Sequence, residues 1–210
     1  VLLALVTVVQ GPPSVDLLWT RTAEAKAPLL ESRDVHVHPM EVAELTQDNA
    51  VYTRVLDVRR QDHYNLFHLR NAEHVTPMML RDPDFIDELK AAPGNMAIFV
   101  VSNDEVADTE AWRVLAAHDV RNLYIVAGGV NGWLETYPPP PCLAEPREGP
   151  REPEELAFIF FRAVGDCCNS AYPELAYKQL PDNCFLAANP DDEAAHSRAG
   201  HIVAPAPEVS

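Results

Sequence analysis

Positive charge is scarce in this sequence: 16 lysines and arginines face 32 aspartates and glutamates over 210 residues, a formal net charge of -16. Nucleic acids and anionic lipid surfaces are held by Lys and Arg neutralising phosphate, so the balance disfavours both as partners. Motifs that cradle phosphate, fingerprint a dinucleotide or attach haem are missing, and no cofactor is expected. Apolar runs are short: residues 1–9, VLLALVTVV, fall well below the about 20 that a membrane-crossing helix requires. Cysteine is confined to the last third, and Cys142, Cys167, Cys168 and Cys184 fit no common zinc spacing. His36 and His38 would share one face of a strand, a geometry that can hold a metal, but no third ligand is near and no metal site is expected.

Proline, by contrast, is abundant at 19 residues, which suits connecting arms better than extra core. The length allows one domain of ordinary size plus substantial extensions. Residues 1–9 are expected to be the end of a membrane helix, with Trp19 and Arg21 at an interfacial belt, the alternatives being a remnant of a signal's apolar core or a buried strand packed on the protein or a partner subunit. Residues 14–30 have the pattern of an amphipathic helix capped by Ser14 and closed by Pro28.

The chain is organised around residues 96–134. Residues 96–101, MAIFVV, form a continuous apolar run of the kind that fills a central parallel strand, and it stops at Ser102, Asn103 and Asp104. Helical spacing follows, with Ala111, Val114 and Leu115 on one face and Asp108 or Thr109 available to cap the first amides. A second apolar strand at residues 123–126 leads to Gly128 and Gly129, which open another helix. Strand, loop, helix, strand, helix is a right-handed parallel crossover, and ligands gather where such strands end and helices begin.

Gly128, Gly129, Val130, Asn131, Gly132 and Trp133, with Leu56, Asp57, Val58 and Arg59 and then Tyr64, His68 and Ala72 upstream, resemble the closing and opening motifs of the rhodanese-like domain. The resemblance covers roughly residues 38–137 and implies an α/β fold, a parallel sheet flanked by helices. It implies structural roles for Asp57 and Arg59, as an ion pair and backbone anchor, and for His68, which fixes a turn. Gly128 and Gly129 form the turn that brings the last helix close to the sheet, with Trp133 completing the motif.

The resemblance also implies that Ser102 stands where the family places its sulfur-carrying cysteine, in a degenerate loop of Ser102, Asn103, Asp104, Glu105, Val106 and Ala107. Sulfur transfer needs a thiolate and anionic donors. An alcohol carries no persulfide, and Asp104 and Glu105 are expected to turn anions away from the mouth. As a serine nucleophile Ser102 would need a base, and His118 lies about four turns along the next helix. Ser102 is therefore expected to bond its own backbone and to have no catalytic role.

Four regions are expected: an apolar segment and arm at 1–35, the rhodanese-like domain at 36–137, a proline-rich extended linker at 138–153 and a tail at 154–210. Residues 154–164 read as an apolar helix, with acids in its first turn and Leu156, Ile159, Phe160 and Val164 along one face. The four cysteines are expected to form two disulfides, for example Cys142 and Cys184 each meeting one of the vicinal pair, which places the protein in an oxidising, periplasm-like compartment. The expected function is a catalytically inactive accessory or scaffold subunit of a membrane-associated complex, docking other protein subunits through its arms. The alternative is a sulfur or thiol carrier that uses Cys167 or Cys168.

Overall fold

A computed structural model describes residues 13–173. Its strands are β1 (His36–Val37), β2 (Tyr52–Asp57), β3 (Ala72–His74), β4 (Met96–Val101) and β5 (Leu123–Val126), joined in one parallel sheet of order β1-β5-β4-β2-β3. The central strand β4 is covered on both faces. Ala97, Phe99 and Val101 point into one core layer and Ile98 and Val100 into the other, which is why its sequence is apolar throughout instead of alternating. Strands β2 and β5 alternate in the same way, Val55 and Val126 joining the first layer and Leu56 and Ile125 the second.

Helices α2 (Pro39–Leu45) and α6 (Gly129–Thr136) contribute to the first layer. The second is covered by α4 (Pro83–Lys90), whose Phe85, Ile86 and Leu89 face inward as their spacing predicts, and by α5 (Val106–Ala117). Helix α3 (Gln61–Leu66) connects β2 to β3.

Helix α1 (Val15–Glu31) forms where the sequence predicts it, with Ser14 accepting a hydrogen bond from the Leu17 amide. Pro28 does not close it; the proline sits inside the last turn and the helix runs on to Glu31. Trp19 is half-buried and packs within the chain. Its ring meets Trp112 edge-on at 6.4 Å, the Arg113 guanidinium lies 4.8 Å over it, and Lys26 reaches the Ala116 carbonyl and Asp119. The arm is thus packed along α5. Residues 1–9 and Cys184 lie outside the described residues, and no helix among those described is long and apolar enough to cross a membrane.

The segment after α6 departs most from expectation. Residues 138–153 are not an extended linker and residues 154–164 are not a helix: β6 (Ala144–Pro146) and β7 (Phe158–Phe160) pair as an antiparallel hairpin. The working period is two. Leu156 and Phe160 point inward while Ile159 and Phe161 point out, so an apolar run that also matched helical spacing takes the strand alternative. Phe160 stacks on Phe67 at 5.4 Å, and Leu143, Leu156, Val164 and Ala171 complete the layer begun by α2 and α6. Cys142 is disulfide-bonded. Cys167 and Cys168 are thiols, so neither forms the disulfide expected of it; Cys168 is instead a small apolar component of the core.

Candidate functional site

At the carboxyl end of the sheet the chain leaves β4 into residues 102–107 and enters α5. Gly128 and Gly129, at φ +71° and +59°, let α6 approach this loop closely. A Cβ on Gly129 would stand 2.3 Å from the Asp104 carbonyl oxygen, and the same closeness lets the Val130 and Asn131 amides donate to the Ser102 and Asn103 carbonyls at 2.8 and 2.9 Å. The glycine pair therefore acts as the sequence suggests, as the point where the last helix grips the loop.

Asp57 and Arg59 anchor the other side. Arg59 donates from Nε and Nη2 to Asp57 Oδ1 and Oδ2 at 2.9 and 2.6 Å, from Nη2 to the Phe67 carbonyl at 2.6 Å, and from Nη1 to Asn103 Oδ1 at 3.1 Å. Both residues are buried, and with these bonds the guanidinium finds the paired, hydrogen-bonded surroundings a buried charge requires. Asn103 passes the arrangement on, its Nδ2 donating to His63 Nδ1 at 2.6 Å. Burial, aided by the Arg59 and Arg60 charges, holds the His63 pKa below its ordinary value, which matches an imidazole that accepts at Nδ1. His68 fixes its turn: its ring stacks on Tyr64, its Nδ1 lies 2.8 Å from the Tyr64 carbonyl, and its amide donates to Gly165 at 2.9 Å. Trp133 joins the return segment through Nε1, which donates to the Ser170 carbonyl at 2.5 Å.

The loop itself holds a carboxylate from within the chain. Glu154 Oε2 accepts from the Asn103 amide at 3.0 Å, its Oε1 accepts from the Ala107 amide at 2.8 Å, and Ser102 Oγ lies 3.0 Å from Oε1. The Glu154 amide donates to Asp104 Oδ2 at 2.8 Å, and Asn103 Nδ2 also donates to the Glu154 carbonyl at 2.5 Å. Free amides at a helix start attract negative charge, and here the occupant is supplied from 50 residues away. The Asp104 carboxylate caps the Val106 amide at 2.9 Å, so Asp104 and Glu154, not Asp108 or Thr109, cap α5.

Ser102 is fully buried, and its hydroxyl also lies 3.0 Å from the Asp104 carbonyl, the local backbone bond expected of it. His118 is at the opposite end of α5, too far to serve it as a base. Beneath the loop Asp108, also fully buried, accepts from the Ser102 amide at 3.2 Å through Oδ2 while its Oδ1 has no partner. Burial pushes its pKa up to about 8. Glu105 turns sideways: its oxygens take Arg33 Nη1 and Nη2 at 2.7 and 2.6 Å and the Gly128 amide at 2.7 Å. That bond with Arg33 holds the Glu105 pKa below the usual range, so its charge is neutralised locally and does not guard the mouth.

His36 and His38 part company. His36 Nε2 lies 3.7 Å from Glu105 Oε2, whereas His38 Nδ1 accepts from the Met40 amide at 3.2 Å as the cap of α2. Among the described residues no cluster of three metal-ligating side chains occurs.

Sequence reasoning overlooked Glu154, which looked like a first-turn helix acid, and Asn131, whose side chain takes the Ala157 amide at 2.7 Å and donates to the Glu155 carbonyl at 2.9 Å. Asn131 lies inside the glycine and tryptophan motif and was legible as part of it. Nothing local to Glu154 points to a loop 50 residues earlier.

These features, a five-stranded parallel sheet whose central strand opens into a loop and a helix start gripped by a glycine turn, define an α/β domain built to present a loop of amides. Residues 38–136 match the family model of the rhodanese-like domain. No curated relative matches the chain. Among the solved structures similar to it, a polysulfide-sulfur transferase homodimer from Wolinella succinogenes is 21% identical, with 55% of this chain and 85% of that one covered and a TM-score of 0.40. A protein of unknown function from Rhodopseudomonas palustris CGA009, described as a possible tyrosine phosphatase, is 9% identical over 61% of this chain and 94% of that one, with a TM-score of 0.40.

Proposed function

We propose that this protein is a catalytically silent rhodanese-like module that acts as an accessory or scaffold subunit, docking other proteins of a membrane-associated, extracytoplasmic complex. The observation that carries the silence is the Glu154 carboxylate, which occupies the Asn103 and Ala107 amides where an incoming anion would have to bind. Ser102 supports it: a buried alcohol at the head of the loop has neither the nucleophilicity of a thiolate nor access to a donor. The apolar run at residues 1–9 motivates the membrane location, and the disulfide at Cys142 agrees with an oxidising compartment.

The test is to incubate the full chain with thiosulfate and cyanide, then measure thiocyanate and intact mass. No thiocyanate above background and no added sulfur are expected; a cyanide-labile sulfur adduct refutes the silent reading. Native co-purification tests the scaffold role, a stable membrane assembly supporting it and a lone soluble monomer opposing it.

The thiol state of Cys167 and Cys168 favours one second reading, a sulfur carrier using that pair. Cys168 is poorly suited to it, since burial raises its thiol pKa and keeps it out of solvent. Locating any added sulfur by peptide mapping separates the two readings.

A further inference from the structure

We propose that residues 150–154 form a reversible strap that closes the loop at residues 102–107 in cis, with Glu154 as its bolt and closure tied to one proton held between Glu154, Ser102 and Asp104. The geometry has three parts. The first is the hydroxyl of Ser102, which lies 3.0 Å from both the Asp104 carbonyl and Glu154 Oε1 but has a single hydrogen to give. Both contacts reach full strength only when Glu154 brings a proton of its own. The second is the Asp104 carboxylate, which the Glu154 amide draws against the Glu154 side chain. Two ionised carboxylates so placed repel, and one proton between them removes the repulsion. The third is mechanical. Glu154 sits at φ +63°, a conformation that costs a non-glycine residue strain, so closure is held by the bolt and opposed by the backbone.

The strap has room to move and a defined hinge. Glu148, Gly149, Pro150, Arg151 and Glu152 are exposed, and Gly149, at φ +88°, has nothing within 4 Å of where a Cβ would stand. Beyond Glu154 the chain is pinned to α6 by Asn131, through the Glu155 carbonyl and the Ala157 amide. Lifting the strap therefore frees the Asn103 and Ala107 amides while the hairpin stays in place.

The charged groups facing the bolt agree with this direction. Burial and then Asp104 raise the Glu154 pKa, while hydrogen bonds from the Glu154 residue keep Asp104 low against its own burial. Asp108, below the loop, adds a like charge only when it ionises near pH 8. Glu105 is paired with Arg33, and Arg59, reaching Asn103 from behind, is paired with Asp57. His63, against Asn103, is held below its ordinary pKa. On the strap side Arg147 pairs with Glu155 and Arg151 with Glu135. A raised pKa stabilises the closed form below the ordinary glutamate value, and that stabilisation is lost as pH rises through the raised one. The strap is thus tightest in acid and loosens as pH rises above the ordinary glutamate value, to an extent limited by the Asn103 and Ala107 amides, which favour the ionised form.

Hydrogen exchange of the full chain, read at pH 5 and pH 7 with labelling times scaled to the intrinsic rate, tests this below the pH at which Asp108 ionises. The amides of Asn103, Ala107 and Glu154 are expected to lose protection several-fold between the two, while the Asn131 amide, bonded to the Asn103 carbonyl, does not. Glu154→Gln keeps the bolt's shape without its charge and should show equal protection at both pH values. Glu154→Ala should leave the Asn103 and Ala107 amides unprotected at both. Equal protection at pH 5 and pH 7 in the wild type overturns the proposal, as does the same loss in Glu154→Gln. The proposal rests on the same Glu154 contacts as the silent reading, but hydrogen exchange reads closure of the strap and the thiosulfate assay reads sulfur transfer, so failure of one is distinguishable from failure of the other.

Discussion

Replacing Asp108 with asparagine should make the protein more stable in alkali and no more stable in acid. Asp108 is fully buried, has one oxygen without a partner, and its pKa is pushed from the ordinary 3.8 up to about 8. A tenfold change in proton affinity is worth about 1.4 kcal/mol, so this gap of roughly 4 powers of ten sets a ceiling of about 6 kcal/mol on the cost of ionising the group in place. The sign follows from linkage. With the folded pKa raised, the stabilisation is complete below pH 3.8 and is lost progressively as pH rises to about 8. Water entry and local relaxation lower the realised figure, and a difference of about 2 to 4 kcal/mol between wild type and Asp108→Asn is expected at pH 9. At pH 5 the asparagine still accepts from the Ser102 amide but places an amide nitrogen where Oδ1 has no partner, so it should cost about 1 kcal/mol. Urea unfolding of both proteins at pH 5 and pH 9 gives the two differences, and other titrating groups cancel between them. An unchanged difference would refute the assignment of a neutral, buried acid under the loop.

Gly129→Ala should cost about 3 kcal/mol or more by urea unfolding, because the new methyl would stand 2.3 Å from the Asp104 carbonyl oxygen at a positive φ. Leu156→Ala should cost about 2 to 4 kcal/mol, a loss that only a return segment packed into the core explains; a change below about 0.5 kcal/mol would mean the hairpin is not part of the core. Under native conditions iodoacetamide should leave Cys168 unlabelled and modify Cys142 only after reduction, and rapid native labelling of Cys168 would contradict its burial. Ser102→Cys should remain slow toward the same reagent while Ser102→Cys with Glu154→Ala becomes faster, since the carboxylate covers the position.

The sheet was legible because its signals are local. The apolar run ending at Ser102, the glycine pair before Trp133, the Asp57 and Arg59 pair and the capping Ser14 each do in the structure what their residue types require nearby. The return segment was not legible. In residues 156–164, Leu156, Ile159, Phe160 and Val164 match a helix while Leu156, Phe158 and Phe160 match a strand, and only the empty place over Phe67 and Trp133 decides between them. Glu154 was out of reach for the same reason, since its partners lie in a loop brought to it by the fold alone. The vicinal cysteines misled through composition: an apparently coreless tail suggested staples, but its described part, up to residue 173, shares the core of the domain and needs fewer of them.

Because Leu143, Phe160, Val164 and Ala171 finish one side of the sheet, a nascent chain that has released only residues up to α6 presents Phe67, Leu69 and Trp133 to solvent. Synthesis must deliver about 35 further residues before that surface is sealed, at roughly 5 to 20 residues per second. For those seconds the sticky half of the domain is open to chaperones and to its neighbours on the same message, and truncation anywhere between α6 and Ala171 should produce aggregation instead of a smaller folded protein.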